Sequence, residues 1–454
     1  MDESGLYQSS KKHKLNEEQG IVDGNTKCLE NLPEEILRHI ISLLPTNDAV
    51  RTSILCKRWE YLWTSIPNLG FKIESEAKRT LRMNFVERVL LLHDSSDIKQ
   101  FTLYCDDLHD GDASRIKAWI FSAIRHNVQE LVLDLPIFEE QFSLPRCLFT
   151  CVTLTKLQFD MPCVLKLPPT IYFTNLKILT FKNVTFLDDY STQKLFSGLP
   201  VLEEMFLEDC LWVNLTAVSI SSPKLHCLVI IDDGENSNDK DGCQVMIFGP
   251  GLKTFTYCGP LCNDYCLYNS CSLERVEIEV CYPGWTARQV AYRMYRLLSG
   301  LSTIKKLKLS NGAVEVLNSA AELLPHVPMF NNVMHLEFDD CPTYLDRVAL
   351  SKILEKFPCL NTLEFPKGID LSVNCKNADG ILDPVPPCFL SHLRCIKVCY
   401  AEVQDQLPAI KNLLKNAVAL DKIVIYSVNH FARDFEKQLV EFPRGSKNCK
   451  FIIY

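Results

Sequence analysis
Four thiols stand close together near the middle of the chain: Cys258, Cys262, Cys266 and Cys271, separated by three, three and four residues. Thiolates are soft ligands, and four of them suit a zinc ion. Zinc knuckles, however, pair cysteines two residues apart. Cys-x-x-Cys occurs nowhere in the chain, and no histidine lies near the four. The spacing predicts no metal site and leaves these thiols buried or in loops. His39 falls in a helix pattern and His335 on a strand pattern, and the ten histidines form no pattern with a nucleophile. Gly-x-x-x-x-Gly-Lys, Gly-x-Gly-x-x-Gly, His-Glu-x-x-His and Gly-x-Ser-x-Gly are all absent. The chain therefore reads as a binding protein, with no catalytic residue and no cofactor.

Composition narrows what it binds. The 48 basic and 56 acidic residues leave a net charge of −8, which argues against general binding to nucleic acid or an anionic membrane. No apolar run approaches the roughly 20 residues of a membrane helix. Residues 1–27 are polar, lack a signal-peptide core and read as a disordered tail. Their Lys11-Lys12-His13-Lys14 run is a weak nuclear signal at most. The cysteines number 21, an odd count, and many occupy apolar pattern positions. They are expected to be small buried hydrophobes in a reducing compartment, the cytoplasm or nucleus. Asn183-Val-Thr and Asn214-Leu-Thr match the glycosylation pattern by chance in such a compartment.

The elements that would do the binding come in two kinds. Residues 29–63 form a short helical unit. Pro33 suits a first helical turn, Asn31 and Glu34 suit a capping box, and Glu34 and Glu35 favour the positive end of the helix. Ile36, Leu37, Ile40, Ile41 and Leu44 recur at helical spacing up to Pro45. Thr46, Asn47 and Asp48 can cap a second helix over 49–53. Ile54, Leu55, Trp59, Leu62 and Trp63 belong to a third segment. So small a unit cannot bury all these side chains, and apolar surface near Leu32, Ile36, Ile40 and Trp59 is left for a partner.

Leu32-Pro33, Ile36, Ile40, Leu43-Leu44, Asp48, Val50, Ser53, Cys56-Lys57-Arg58-Trp59 and Leu62-Trp63 together closely resemble an F-box. The resemblance implies a three-helix module that docks a Skp-type linker and, through it, the cullin and RING subunits of a ubiquitin ligase. It carries linker contacts to Leu32, Pro33, Ile36, Ile40, Leu43, Leu44, Val50, Ser53, Cys56, Lys57, Arg58 and Trp59. Such an interface should bury about 800 Å² per partner and draw most of its energy from a few anchors.

The second kind of element is a repeat. An apolar-x-x-apolar-x-apolar pattern begins at Ile98, Val128, Leu154, Leu176, Leu202, Leu225, Leu252, Leu273, Ile304, Val333, Leu360, Leu393 and Leu420. The mean spacing of about 27 lies in the leucine-rich-repeat range. Each copy predicts one strand with alternate side chains buried, followed by a helical or loop return, and the copies must stack to cover one another. Helical returns are clearest over 286–301, 351–357 and 408–419, whereas Leu167-Pro168-Pro169 reads as a loop. The copies resemble the irregular leucine-rich repeats of plant F-box proteins, with Cys210 and Cys341 in place of the motif's asparagine. PPCFLSHLRCIKV, LPAIKNLLKNA and LDKIVIY resemble the FBD region of such proteins, although CYAEVQDQ stands where a glycine turn is usual. The final FIIY reads as a last strand.

The expected fold is α/β: a tail over 1–27, a small three-helix F-box over 28–75, an irregular leucine-rich-repeat solenoid over 76–380 with parallel strands on its concave face, and an FBD-like cap over 381–454. The residues two, four and six after the start of each copy should point to the open face. They give a mixed but mainly acidic set, in which Glu204, Glu208, Glu277, Glu279, Glu337 and Asp339 are the candidate target contacts. The basic positions do not converge as a bound polyanion requires. The expected function is that of a substrate-recognition adaptor of a Skp–cullin–F-box ubiquitin ligase. A scaffold that holds the linker without delivering a target, and a small-molecule receptor, are the alternatives. The protein target is left unidentified.

Overall fold
The computed structural model describes residues 32–74, 78–94, 96–107, 109, 111–137, 143–232, 242–281, 287–319, 322–338, 343–344, 347–370, 382, 384–400, 406–427, 439 and 441–454. The tail, Asn31, Asp339 and Cys341 lie outside them.

The helical module opens with the helix Glu34–Ser42. Pro33, at φ −55° and ψ 147°, occupies the cap position rather than the first turn. Pro45 does the same for the next helix, Thr46–Arg51, which therefore starts three residues before the expected Ala49. The third segment is not an α-helix. Trp59 N–H donates to Cys56 O at 2.9 Å and Ile66 N–H to Trp63 O at 3.2 Å, three-residue bonds that wind it as tight turns. Trp59, Leu62 and Trp63 are all pulled into the core, and successive tight turns bring them there.

All 13 expected strands form, each starting two residues after its copy begins, from Gln100–Cys105 to Lys422–Ser427. They join one sheet in chain order, and every pair in it is parallel. Lys450–Ile453 adds the final strand that FIIY suggests. A further strand, Asn68–Ile73, precedes them all and pairs with Gln100–Cys105. It carries the same signature, Ile66-x-x-Leu69-x-Phe71, inside the span read above as the module. Burial alternates as expected: in Glu204–Glu208, Met205 and Leu207 are buried while Glu204, Phe206 and Glu208 are half-buried.

The core is a stack of side chains from successive strands. Phe159 lies on Phe181 at 5.8 Å, and Phe338 on Phe365 at 5.6 Å. Phe186 contacts Trp212 at 5.1 Å, which in turn meets Phe196 at 6.1 Å. Cys210 does the work of the motif's asparagine: its buried thiol donates to Phe181 O and Glu208 O at 3.5 Å each. Desolvation pushes that thiol up to about 12, so it stays protonated and available as a donor.

The returns differ from expectation in the middle of the solenoid. Helices Ala287–Ser299, Arg347–Leu354 and Gln406–Asn416 fill the expected places, and Arg79–Leu92, Asp112–Arg125, Asp189–Ser197 and Asn311–Ser319 add to them. Between them, Ala217–Ser221, Gln244–Phe248 and Asp264–Tyr268 build a second parallel sheet. These returns are short and alternate Val218/Ile220, Val245/Ile247 and Tyr265/Leu267 inward, which suits strands. The exposed edge of that sheet is closed by a side chain. Gln193 accepts from Ser219 N–H at 2.7 Å and donates to Ser219 O at 3.1 Å, as a neighbouring strand would.

Candidate docking surfaces
The module is welded to the first rung of the solenoid. Gly70 N–H donates to the buried Thr46 hydroxyl at 2.8 Å, so the second helix satisfies a strand edge. Asp94 N–H donates to Thr64 O at 2.9 Å, and His93 Nε2 lies 3.1 Å from Ile66 O. Arg58 donates to Leu32 O, tying the start of the module to its end. Anything docked to the module is thereby held in a fixed relation to the repeats.

The apolar surface of the module is extensive. Ile36, Leu43, Ile54, Leu55 and Tyr61 are 46, 71, 86, 60 and 69% exposed. Leu32, Ile40, Leu44, Val50, Ser53 and Cys56 are half-buried, and Pro33, Lys57 and Arg58 are exposed. Trp59 corrects the reading above: at 4% exposed it belongs to the core with Leu37 and Ile41, so it supports the surface rather than forming it. Ile54, Leu55 and Tyr61 were not singled out as contacts. The helix period predicts which residues of an α-helix face outward, but it has no hold on tight turns.

The concave face divides in two. Strands from Ile178 to Cys258 present the uncharged Ile178, Phe206, Val229, Ile231, Thr254 and Thr256 beside Lys182, Glu204 and Glu208. Strands from Arg275 onward present more charges, several of which pair with one another. Lys308 pairs with Glu277 at 2.5 Å, Lys306 with Glu337 at 3.0 Å, and Lys397 with Glu364 at 3.0 Å. His335 Nε2 lies 3.1 Å from Glu364. Burial, with Lys306 and Lys397 nearby, holds that imidazole below its usual range. Earlier in the sheet, Lys182 bridges Glu208 at 3.0 Å and Asp160 at 3.7 Å. Of the six acids singled out, Glu208, Glu277 and Glu337 are thus engaged within the face. Glu204 and Glu279 have no ion-pair partner among the described residues, and Asp339 lies outside them.

The sequence cysteine cluster does not assemble as a set of four. Cys262 and Cys266 are buried, and Cys271 is exposed and contacts Pro250 O. No disulfide joins the described cysteines. Asn183 and Asn214 take positive φ, 60° and 59°, a conformation asparagine tolerates in turns. Asn183 donates to Asp160 at 2.8 Å, a structural role for one chance glycosylation match.

Residues 29–69 match the F-box domain model, and 116–241 match the model of the LRR repeats of the FBD-associated F-box protein At5g56370. The Arabidopsis thaliana F-box/LRR-repeat protein At3g59210 is 30% identical over 477 residues, which cover 95% of each chain. The chain belongs to the F-box/LRR-repeat family. F-box/FBD/LRR-repeat protein At5g56420 of the same plant is 27% identical over 94% of this chain and 98% of its own. Among solved structures, that of a TLR13–ssRNA13 complex is similar at a TM-score of 0.32 and 11% identity, over 79% of this chain and 59% of that one. The F-box is therefore the module with the exposed apolar band, and the leucine-rich repeats are the stacked parallel strands. Family membership supports an adaptor role. Among the described residues, no helix is long and apolar enough to cross a membrane.

Proposed function
We propose that this chain is the substrate-recognition subunit of a Skp–cullin–F-box ubiquitin ligase, acting in the cytoplasm or nucleus. The observation that carries the reading is the exposed apolar band of the F-box, from Ile36 through Leu43 to Ile54, Leu55 and Tyr61. Large apolar side chains crowded on so small a module favour a protein partner. The Skp-type linker covers this band, with Leu32, Pro33, Ile36, Ile40, Leu43, Leu44, Val50, Ser53, Cys56, Lys57 and Arg58 around it. Cullin and RING subunits follow through the linker. The chain performs no covalent chemistry. It raises the effective concentration of a target lysine at the conjugating enzyme, and the weld between F-box and repeats keeps that geometry fixed.

The target is a protein held on the concave face. Phe206, Val229 and Ile231 supply its apolar contact, and Glu204 and Glu279 supply acids with no ion-pair partner among the described residues. A polyanion cofactor fits poorly, since Lys182, Lys306, Lys308 and Lys397 each already face a carboxylate. Affinity purification of the full chain under proteasome inhibition tests the proposal. Linker, cullin and RING should co-purify with the native chain and be lost from Leu32→Ala/Pro33→Ala, while captured targets remain. Undiminished recovery of linker and cullin on the double variant would count against the docking surface.

A further inference from the structure
The zinc question raised by the cysteines has a different answer across the strands than along the sequence. Cys258 and Glu279 are register partners on the adjacent strands Thr254–Gly259 and Arg275–Val280. Cys281 follows two residues after Glu279, and its N–H donates to Gly259 O at 3.1 Å. The two thiols and the carboxylate converge, with their ligand atoms all within 4.8 Å of one another. Cys258 stands 21 residues before Glu279 in the sequence, a whole repeat away, so a search for closely spaced thiols could not join it to Glu279 and Cys281.

From this convergence we infer that Cys258, Glu279 and Cys281 form a zinc site on the concave face, with a fourth position open to solvent or to a side chain of a bound partner. Tetrahedral zinc holds sulfur at about 2.3 Å and carboxylate oxygen at about 2.0–2.2 Å, which places such ligands roughly 3.5–3.8 Å apart. Rotation of side chains at the surface closes the remaining gap. Zn²⁺ displaces one proton from each thiol to solvent, and two thiolates plus one carboxylate leave the occupied site at a net charge of −1. Two thiolates select zinc over magnesium or calcium.

Electrostatics distinguish this cluster from the other convergent group. His335, Glu337 and Glu364 also lie within 4.8 Å of one another, but Lys306 and Lys397 already supply their cations at 3.0 Å. No lysine or arginine is within ion-pair reach of Glu279 among the described residues. A disulfide is the competing fate of the two thiols. In this structure no disulfide joins them. The inference does not depend on the ligase reading.

Cobalt substitution of the full-length, reduced protein tests it. One equivalent of Co²⁺ should give thiolate-to-cobalt charge-transfer absorption and a tetrahedral visible spectrum, both abolished by Zn²⁺. Cys258→Ser and Cys281→Ser should each remove the signal, and Glu279→Gln should weaken binding by more than about tenfold, as loss of a direct ligand exceeds loss of an outer partner. Cys271→Ser, which changes an exposed thiol outside the cluster, should keep the full signal. No cobalt–thiolate spectrum in the native protein would overturn the site. So would a signal that persists in both Cys258→Ser and Cys281→Ser, or a Cys258–Cys281 disulfide mapped in the protein as isolated.

Discussion
The F-box and the repeats solve the same problem of apolar burial in opposite ways. The repeats stack, so each strand buries its inward side chains against the next, and several of their charges find partners across the ladder. Among the described residues, nothing packs on the outer side of the F-box. Within 26 residues it leaves Ile36, Leu43, Ile54, Leu55 and Tyr61 in solvent, while Trp59 and Trp63 anchor it from beneath. The two surfaces are therefore not equally legible. An uncovered apolar band points toward a partner, whereas a face whose charges largely pair among themselves gives few clues about what it holds.

The largest effect should come from breaking the anchor that separates buried from exposed in the F-box. Trp59→Ala should cost about 3–5 kcal/mol, the range for truncating a large core aromatic, whereas Ile54→Ser should stay within about 0.5 kcal/mol. Denaturant titration of the two variants checks the contrast. Equal losses would mean that the outer band is structural. In the repeats, Lys182→Gln leaves Asp160 and Glu208 without their shared cation, yet it should cost no more than about 1 kcal/mol because the group is partly exposed. A larger loss by the same measurement would show that the charges of the face hold the sheet together.

The smallest effect concerns pH. The His335 imidazole is held below its usual range in the folded chain, so the unfolded chain takes up that proton first. Its contribution to stability is present above the unfolded value of about 6.5 and is lost as pH falls below it. His335→Gln should flatten the fall in Tm between neutral and mildly acidic pH. An unchanged pH dependence would remove His335 from the account of the charged strands.

The strands were legible because the repeat signature forces them: Leu154-x-x-Leu157-x-Phe159 has few other ways to bury its apolar residues. Ile66-x-x-Leu69-x-Phe71 carried the same signal but sat inside the span assigned to the module. The second sheet was missed because its strands are short and lie between repeat starts. The neutralised face was also hidden in the sequence. Lys182 meets Glu208, and Lys397 meets Glu364, only through the register of strands 26 and 33 residues apart. The same long-range register brings Cys281 to Cys258, which neighbours in sequence could not reveal.

The affinity of the purified chain for a Skp-type linker, measured by calorimetry with the native F-box and with Ile54→Asp, tests the central claim most directly. The native chain should bind tightly and the variant at least about thirtyfold more weakly, the ~2 kcal/mol of an interface hot spot, with an unchanged Tm. No binding by the native chain, or equal binding by the variant, would contradict it.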